Sequence, residues 1–280
     1  MSTPGTDRQG IRTWDVHRIH NEKRYIFADN IVVEEPLEIR IAYGPVDRRV
    51  EMPLSITMRT PGDDVELVTG FLITEGIARA ERDIQSVQQQ STNVVVADLH
   101  PDVNFQPGDV QRHFYTTSSC GVCGKASIDM VRQVTPYRLV SDQPQISFKT
   151  LLEMGEILGG SQPVFASTGG IHATALFQAT GELLCTKEDI GRHNAMDKLI
   201  GWAAKHELLP LSNHVVVVSG RGGFELVQKA MVAGVAIFAA VGAPSSLALE
   251  LAEECDMTVA GFLREDRVNV YMCPERVVDS

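Results

Sequence analysis

The pattern of hydrophobic and polar residues changes near residue 140. Residues 1–20 are polar, and we expect a disordered or frayed tail there. Between residues 21 and 140, short β-rich runs are separated by Pro and Gly, which predicts a β-rich N-terminal subdomain. A helical pattern interrupts these strands in "PGDDVELVTGFLITEGI", where Asp63 or Asp64 is the candidate capping residue.

From Ser147 to the C-terminus, helical and strand-like segments alternate. Ser147 is the expected N-cap of the first helix, and a hairpin is predicted to turn at residues 179–182. The run "HVVVVSG" is typical of a strand buried on both faces. The order α-β-β-α-β-α-β-α-β predicts that residues 141–280 form a three-layer α/β domain whose later strands are parallel. The fold class of the chain is therefore α/β.

The composition restricts the classes of function. The 25 basic and 36 acidic side chains give a net charge of −11, which argues against sequence-independent binding to nucleic acid or to an anionic membrane. No apolar run approaches the ~20 residues of a membrane span, and the polar start lacks a signal-peptide pattern. We therefore expect a cytoplasmic protein with no nucleic-acid or membrane partner. An anionic small ligand, bound by local Arg, Lys and helix N-termini, is compatible with this charge.

The five cysteines, an odd number, do not indicate a disulfide framework in a cytoplasmic chain. Cys185, Cys255 and Cys273 lie among apolar or strand-like residues, and we expect them to be ordinary buried residues. Cys120 and Cys123 differ, because they form a C-x-x-C pair within the stretch "TTSSCGVCGKAS". This pair is the first candidate site.

The C-x-x-C pair alone fits several kinds of chemistry. A structural zinc site needs four ligands, but the nearest histidine is His113, on a predicted strand. The zinc-deaminase signature is also missing, because the H-x-E segment at residues 20–22 is far upstream and Ser119 stands where that signature has Pro. We therefore expect no metal site. The absence of a preceding βαβ unit weakens a thioredoxin-like interpretation. A sulfur carrier, whose thiolate Lys125 would favour, and an inert turn both remain open.

Polar residues cluster where a predicted strand meets a predicted helix, in "TKEDIGRHNAMDKLIG". Glu188, Asp189, Arg192 and His193 lie at this junction. Open α/β sheets bind ligands at the carboxyl ends of their strands, so the cluster is a candidate ligand site. A well-capped surface helix with ordinary ion pairs would give the same pattern.

Two further turns follow buried strands and precede helices. In "VVVVSGRGGFELVQKA", Arg221 and Gly222 lie in a glycine-rich turn suited to phosphate, although its spacing matches neither the dinucleotide fingerprint nor the Walker motif. In "VGAPSSLALEL", Ser245 or Ser246 is the expected cap of the next helix. Three such turns on one sheet edge indicate a nucleotide or a similarly phosphorylated ligand. The "REDR" segment after the last strand is typical of a solvated turn.

Four motifs, in their order and spacing, together resemble one known family. They are "SSCGVCGKASI", "TKEDIGRHNAMDKLIG", "SGRGGFELVQKA" and "GAPSSLALELAEECDMTVAGFLREDRVNVY". The chain resembles the FdhD-type formate dehydrogenase accessory sulfurtransferases (FdhD/NarQ family) from about residue 30 to the C-terminus. This resemblance implies a cytoplasmic protein that takes sulfur from a cysteine desulfurase as a persulfide. The sulfur would pass to the molybdenum (or tungsten) bis-guanine-dinucleotide cofactor before that cofactor enters the catalytic subunit of formate dehydrogenase.

The resemblance also implies roles for particular residues. Cys120 would form the persulfide, with Cys123 as its partner thiol. The family's cofactor-binding segment falls on six consecutive residues: Phe262, Leu263, Arg264, Glu265, Asp266 and Arg267. The guanine and phosphate groups would be held by further residues in the two preceding turns: Asp189, Arg192, His193, Arg221 and Gly222.

The family resemblance extends to the fold and the ligand. The C-terminal part of the family resembles the cytidine-deaminase-like fold without its zinc, in agreement with the predicted element order. The bound substrate would be Mo-bis(molybdopterin guanine dinucleotide), which a GDP-like guanine nucleotide would mimic, and a homodimer is the expected oligomer. Two other classes of function stay in view. One is a C-x-x-C dithiol oxidoreductase, and the other is a non-catalytic binding chaperone for the molybdenum cofactor.

Overall fold

The computed structural model describes residues 10–107, 137, 139 and 142–279. Its N-terminal half contains β1 (Ile11–His20), β2 (Lys23–Val32), β3 (Glu35–Tyr43), β4 (Val50–Arg59), α1 (Asp64–Thr74), β5 (Ile84–Ser91) and β6 (Val94–Leu99). Its C-terminal half contains β7 (Ile146–Ser147), α2 (Phe148–Gly160), α3 (Pro163–Thr168), β8 (His172–Gln178), β9 (Leu183–Asp189), α4 (Arg192–Lys205), β10 (His214–Val218), α5 (Phe224–Val232), β11 (Ile237–Ala240), α6 (Ser246–Glu254), β12 (Thr258–Gly261), β13 (Asn269–Val270) and β14 (Val277–Val278). Short 3₁₀ turns occupy Glu81–Asp83 and Pro274–Arg276. None of the helices in the described ranges combines the length and the apolar composition that a membrane crossing needs.

Residues 35–99 contain a four-stranded sheet in the order β4-β3-β6-β5. β3 is antiparallel to β4 and parallel to β6. Alternate residues of β3, namely Leu37, Ile39 and Ile41, are completely buried, as expected for a strand with one face against the core. They share this core with α1, which contributes Leu67 and neighbouring apolar side chains.

The start of α1 differs from the capping expectation. Asp63 occupies the N-cap position with φ of 56°, and its side chain makes no capping hydrogen bond. The Asp64 carboxylate instead accepts two hydrogen bonds from the Arg59 guanidinium, at 2.9 and 3.0 Å. Both side chains are buried. This bidentate ion pair joins the first turn of α1 to the end of β4.

β1 and β2 form a two-stranded antiparallel ribbon separate from the larger sheets. The pairing begins with Ile11 opposite Val32 and includes every residue of β1. The expectation of a disordered or frayed tail over residues 1–20 is therefore corrected for β1, which is ordered by pairing with β2. The polar residues of β1 reflect exposure to solvent and not disorder. Both faces of the ribbon are largely exposed, including the side chain of Trp14.

The C-terminal region contains a six-stranded sheet in the order β13-β12-β11-β10-β8-β9. β10, β11 and β12 are parallel to one another, as predicted. β8 runs antiparallel to both β9 and β10. The predicted hairpin turn at residues 179–182 joins β8 to β9, and the element order from α2 to β12 follows the prediction with the short α3 added. The mixed α/β class is therefore confirmed.

Helices cover both faces of the six-stranded sheet. One face packs against α2 through a cluster that includes Leu151, Met154 and Val217. The other face packs against α4, α5 and α6, and this core also contains Ile39 of the N-terminal sheet and Met196 of α4. The predicted three layers are therefore present, and the N-terminal sheet and its helix α1 share a continuous core with them.

α1 and α4 cross at two glycines. A Cβ atom at Gly70 would lie 1.9 Å from the backbone oxygen of Asp197, and one at Gly201 would lie 1.9 Å from the backbone oxygen of Glu66. Real carbon atoms do not approach an oxygen so closely, so only glycine fits at either position. The two missing side chains allow the helix backbones to touch. This contact joins the N-terminal sheet to the helix that begins at the candidate site.

Ser147 caps α2 as predicted, and its removal is expected to weaken the fold modestly. The Ser147 hydroxyl accepts a hydrogen bond from the backbone N–H of Thr150 at 3.0 Å. Ser147→Ala should therefore lower the free energy of unfolding by about 1 kcal/mol, measured by urea denaturation. Ser147→Asp keeps an acceptor and should retain most of the stability. Equal losses of stability in the two variants would show that the acceptor at residue 147 does not stabilise the helix.

Candidate functional site

Five strand ends of the six-stranded sheet lie at one edge. β10, β11 and β12 are parallel and end there, each leading into a turn. Because β8 is antiparallel to β10, its first residue, His172, lies at this edge, two residues beyond the pair formed by Thr174 and Val218. His172 is in turn opposite Asp189, the last residue of β9. The topology therefore brings together the three turns that the sequence identified as candidates.

Asp189 is completely buried at the turn between β9 and α4. One carboxylate oxygen accepts hydrogen bonds from Gly191 N at 2.8 Å and from Asn194 Nδ2 at 3.1 Å. The other accepts from Thr60 N at 3.1 Å and lies 2.8 Å from Lys198 Nζ. All these contacts of the carboxylate are internal, so a ligand at the edge would meet the residues that Asp189 positions. Asp189 therefore positions the start of α4 and the end of β4 relative to each other.

The end of β4 is fixed to the same turn. Lys198 Nζ donates to the backbone oxygen of Thr60 at 2.9 Å, and Ile190 N donates to the Thr60 hydroxyl at 3.2 Å. Asn194 Nδ2 also donates to the backbone oxygen of Met58 at 2.7 Å. The polar side chains Lys198 and Asn194 are buried, and these bonds satisfy them. The N-terminal sheet therefore helps to set the position of the start of α4.

Arg192 and His193 begin α4 and lie close to Glu225 of α5. His193 Nε2 is 2.6 Å from Glu225 Oε2. The pKa of Glu225 is lowered, chiefly by the contact with His193 and against the effect of burial, with the charges of His193 and Arg192 adding to it. The Nε atom of Arg192 is buried and has no hydrogen-bond partner within the part of the chain that the structure describes. The start of α4 therefore offers an anion the Arg192 guanidinium, one of whose donor atoms has no partner among the described residues.

The glycine-rich turn after β10 packs tightly on the turn after β11. Gly222 N donates to the Ala243 oxygen at 3.1 Å, and Ser245 N donates to the Gly222 oxygen at 3.1 Å. A Cβ atom at Gly242 would lie 2.9 Å from the Gly220 oxygen, so glycine is needed for this close approach. The N–H group of Gly222 is used inside the protein. Arg221 is exposed, and it is the group of this turn that faces solvent.

The turn after β12 divides its six predicted residues between the core and the surface. Leu263 is buried, only 2 % exposed, and its side chain lies against Gly155 of α2. Phe262 has φ of 53° and is 37 % exposed, and its N–H donates to the Gly242 oxygen at 3.1 Å. The four remaining residues are exposed: Arg264, Glu265, Asp266 and Arg267. Phe262 and the exposed residues are therefore the ones that a ligand could contact.

His172 also lies at this edge, although its local sequence does not indicate a site. Its ring lies against Gly220, where a Cβ atom would be 3.4 Å from Nδ1 of the histidine. Burial lowers the pKa of His172, and the charges of Arg192 and His193 lower it further, whereas Asp189 opposes them. The sequence signal was a lone histidine at the start of an apolar strand. His172 can be assigned to the site only when the antiparallel direction of β8 is known, because this direction brings the start of the strand to the edge.

The cysteine pair, Cys120 and Cys123, lies outside the described residues, and its assigned role stays a prediction. The other three cysteines, Cys185, Cys255 and Cys273, are partly buried. Burial raises the pKa of Cys185 to about 11. Burial also raises the pKa of Cys273, and Cys255 Sγ lies 2.8 Å from the sulfur of Met231. Neither Cys185 nor Cys273 has the lowered pKa of a reactive thiolate.

Comparisons with known proteins cover nearly the whole chain. The family model described as "FdhD/NarQ family" matches residues 32–278. A "Sulfur carrier protein FdhD" from Mycolicibacterium paratuberculosis is 48% identical over 258 residues, which are 89% of this chain and 92% of the relative. A protein of the same name from Saccharolobus solfataricus is 37% identical over 267 residues, 95% of this chain and 98% of the relative.

A solved structure agrees with the fold. The crystal structure of a protein from Desulfotalea psychrophila matches with a TM-score of 0.72 and covers 95% of this chain and 98% of its own. Its sequence is 22% identical, so this likeness bears on the fold alone. The family match and the relatives above 30% identity carry the assignment. The chain belongs to the FdhD/NarQ family.

Proposed function

We propose that this protein is a sulfur carrier in the maturation of formate dehydrogenase. It would accept sulfur from a cysteine desulfurase as a persulfide on Cys120. It would then deliver that sulfur to Mo-bis(molybdopterin guanine dinucleotide), or to the tungsten form, as its bound substrate. The names of the relatives support the sulfur-carrier role. One structural observation supports an anionic substrate of this kind: Arg192, Arg221 and the turn after β12 lie at one edge of the six-stranded sheet. The chain as a whole has a net charge of −11, so this edge differs from its overall charge.

The loading step uses ordinary thiol–persulfide exchange. The Cys120 thiolate attacks the outer sulfur of the donor's cysteine persulfide, so a new S–S bond forms and the S–S bond of the donor breaks. The donor leaves as a thiolate, and Cys120 becomes the persulfide. The proton stays with the transferred sulfur or passes to the donor thiolate. No net oxidation occurs, because one S–S bond replaces another.

The release step assigns Cys123 the role of partner thiol. The Cys123 thiolate attacks the inner sulfur, Sγ of Cys120, and forms a Cys120–Cys123 disulfide. The outer sulfur leaves as sulfide with the electron pair of the broken S–S bond and becomes available to the metal of the substrate. The dithiol supplies the two electrons, so a cellular dithiol reductant must later reduce the disulfide.

The substrate would bind along the edge of the six-stranded sheet. Guanidinium groups such as those of Arg192 and Arg221 suit the diphosphates of the guanine dinucleotide, because a planar fork fits phosphate oxygens. The exposed ring of Phe262 offers a face on which guanine can stack. The residues present therefore fit a guanine dinucleotide. Asp189 would act through the start of α4, which it positions.

We place the reaction in the cytoplasm, with the desulfurase and the catalytic subunit of formate dehydrogenase as transient partners and with the carrier as a homodimer. We also relate the C-terminal domain to the cytidine-deaminase-like fold without zinc. Apart from the short helix α3, the element order α2-β8-β9-α4-β10 supports that relationship.

Mass spectrometry of the loaded protein tests the proposal directly. After incubation with a cysteine desulfurase and cysteine, the intact protein should gain the mass of one sulfur atom, located on the peptide that holds Cys120. A thiol reductant should remove it. Disulfide turnover without any added sulfur would instead support a dithiol oxidoreductase. Normal maturation of formate dehydrogenase by a Cys120→Ala/Cys123→Ala protein would support a non-catalytic chaperone.

A further inference from the structure

The start of α4 already holds an internal anion. We define the α4 corner as Arg192, His193 and Glu225. The Glu225 carboxylate comes from α5 and lies 2.6 Å from His193 Nε2, while the Nε atom of Arg192 remains without a hydrogen-bond partner in the described part of the chain. The N-cap residue of α4 is Gly191, which has no side chain to accept from the first-turn N–H groups. Among the described residues, the corner therefore has donors that the Glu225 carboxylate does not use.

We propose that Glu225 is a displaceable occupant that sets the phosphate specificity of the α4 corner. This inference rests on the proposed function, because it takes the substrate edge as given. Glu225 would block the corner until a ligand with phosphate groups replaces its carboxylate on His193 and engages Arg192. A guanine ligand without phosphate would leave the carboxylate in place.

The two acidic groups of this region differ in how freely they can move. Asp189 is completely buried and has four donors around its carboxylate, so it is fixed. The side chain of Glu225 is 41 % exposed, and within the described residues it forms its ion pair with His193. A partly solvated carboxylate can turn to water at little cost, because water replaces the lost contact. Glu225 is therefore the acidic group that can leave.

The charges around the corner favour the exchange. The pKa of Glu225 is lowered chiefly by its hydrogen bond with His193, and the charges of Arg192 and Lys229 add to this effect. A diphosphate carries more negative charge than one carboxylate and has more acceptor atoms, so it can contact His193, Arg192 and the helix N-terminus together. A diphosphate that replaces the Glu225 carboxylate therefore makes additional contacts with the corner, whereas an uncharged nucleoside makes none. Selectivity for phosphorylated ligands follows.

Removal of the internal charge should tighten binding of phosphates. Isothermal titration calorimetry with GDP, inorganic pyrophosphate and guanosine would compare the wild-type protein with Glu225→Gln. We expect Glu225→Gln to bind GDP and pyrophosphate about fivefold to tenfold more tightly, since the ligand no longer competes with a carboxylate. Guanosine affinity should not change. Glu225→Asp, whose shorter side chain withdraws the charge from His193, should fall between the two.

Controls separate this inference from a general charge effect and from the proposed function. Glu253→Gln removes the same charge from an exposed position on α6 and should leave all three affinities unchanged. Weaker binding of GDP and guanosine by Glu225→Gln would overturn the inference, because Glu225 would then recognise the guanine base. An unchanged GDP affinity, or no binding of GDP and pyrophosphate to either protein, would also overturn it. Sulfur loading, measured separately by mass spectrometry, reports on the carrier role whatever the titrations show.

Discussion

Replacement of Cys120 by alanine is expected to abolish sulfur loading by a cysteine desulfurase, whereas the Cys123→Ala protein should still load. Loading requires one thiolate that attacks the donor persulfide, and alanine cannot form the new S–S bond. Cys123 acts only in release, so its loss should slow the departure of sulfide from a loaded protein. The measurement is the mass of the intact protein after loading, followed over time after the donor is removed.

The three cysteines of the described region serve as internal controls for this experiment. With a pKa of about 11, only about one Cys185 thiol in ten thousand is ionised at neutral pH, and burial opposes ionisation of Cys273 as well. Cys185→Ser should therefore load as the wild type does. Added sulfur on the Cys120→Ala protein, at any cysteine, would contradict the assignment of the persulfide to Cys120.

The order of the C-terminal elements could be predicted because each one has a strong local signal. β10 and β11 are short and largely apolar, as in "HVVVV" and "IFAA", and turns rich in glycine or serine separate them from the helices. Such signals depend on neighbouring residues alone. They correctly indicated parallel strands, the turn at residues 179–182 and the cap at Ser147. They also led to Arg192, His193 and Arg221, which the topology brings to one edge.

Features that depend on distant parts of the chain could not be predicted in this way. The β1–β2 ribbon has mixed polarity, so only its pairing reveals that residues 11–20 are ordered. His172 reaches the edge because β8 is antiparallel to β10, and the sequence of β8 carries no signal of direction. Asp189 and Leu263 appear in motifs beside exposed residues, but tertiary contacts bury both of them. A sequence motif therefore does not show which of its residues can contact a ligand and which are buried and position the others.

The close backbone contact between α1 and α4 leads to the second large expected effect. Gly201→Ala should lower the free energy of unfolding by at least about 3 kcal/mol, because its new methyl group meets the backbone oxygen of Glu66 and cannot be relieved by a side-chain rotation. α1 and α4 would have to separate, with loss of packing in the core that joins the N-terminal sheet to the C-terminal domain. Urea denaturation followed by circular dichroism measures the change.

Gly159→Ala provides a matched control, because Gly159 lies within α2 and a Cβ atom there has nothing within 4 Å. The same substitution should leave stability unchanged or raise it by up to about 1 kcal/mol through helix propensity. Gly70→Ala places its methyl group against the Asp197 oxygen in the same crossing, so Gly70→Ala and Gly201→Ala should be strongly non-additive. Once the helices have moved apart for one methyl group, the second should cost less. A loss below about 1 kcal/mol for Gly201→Ala, or full additivity of the pair, would show that the crossing yields without disturbing the core.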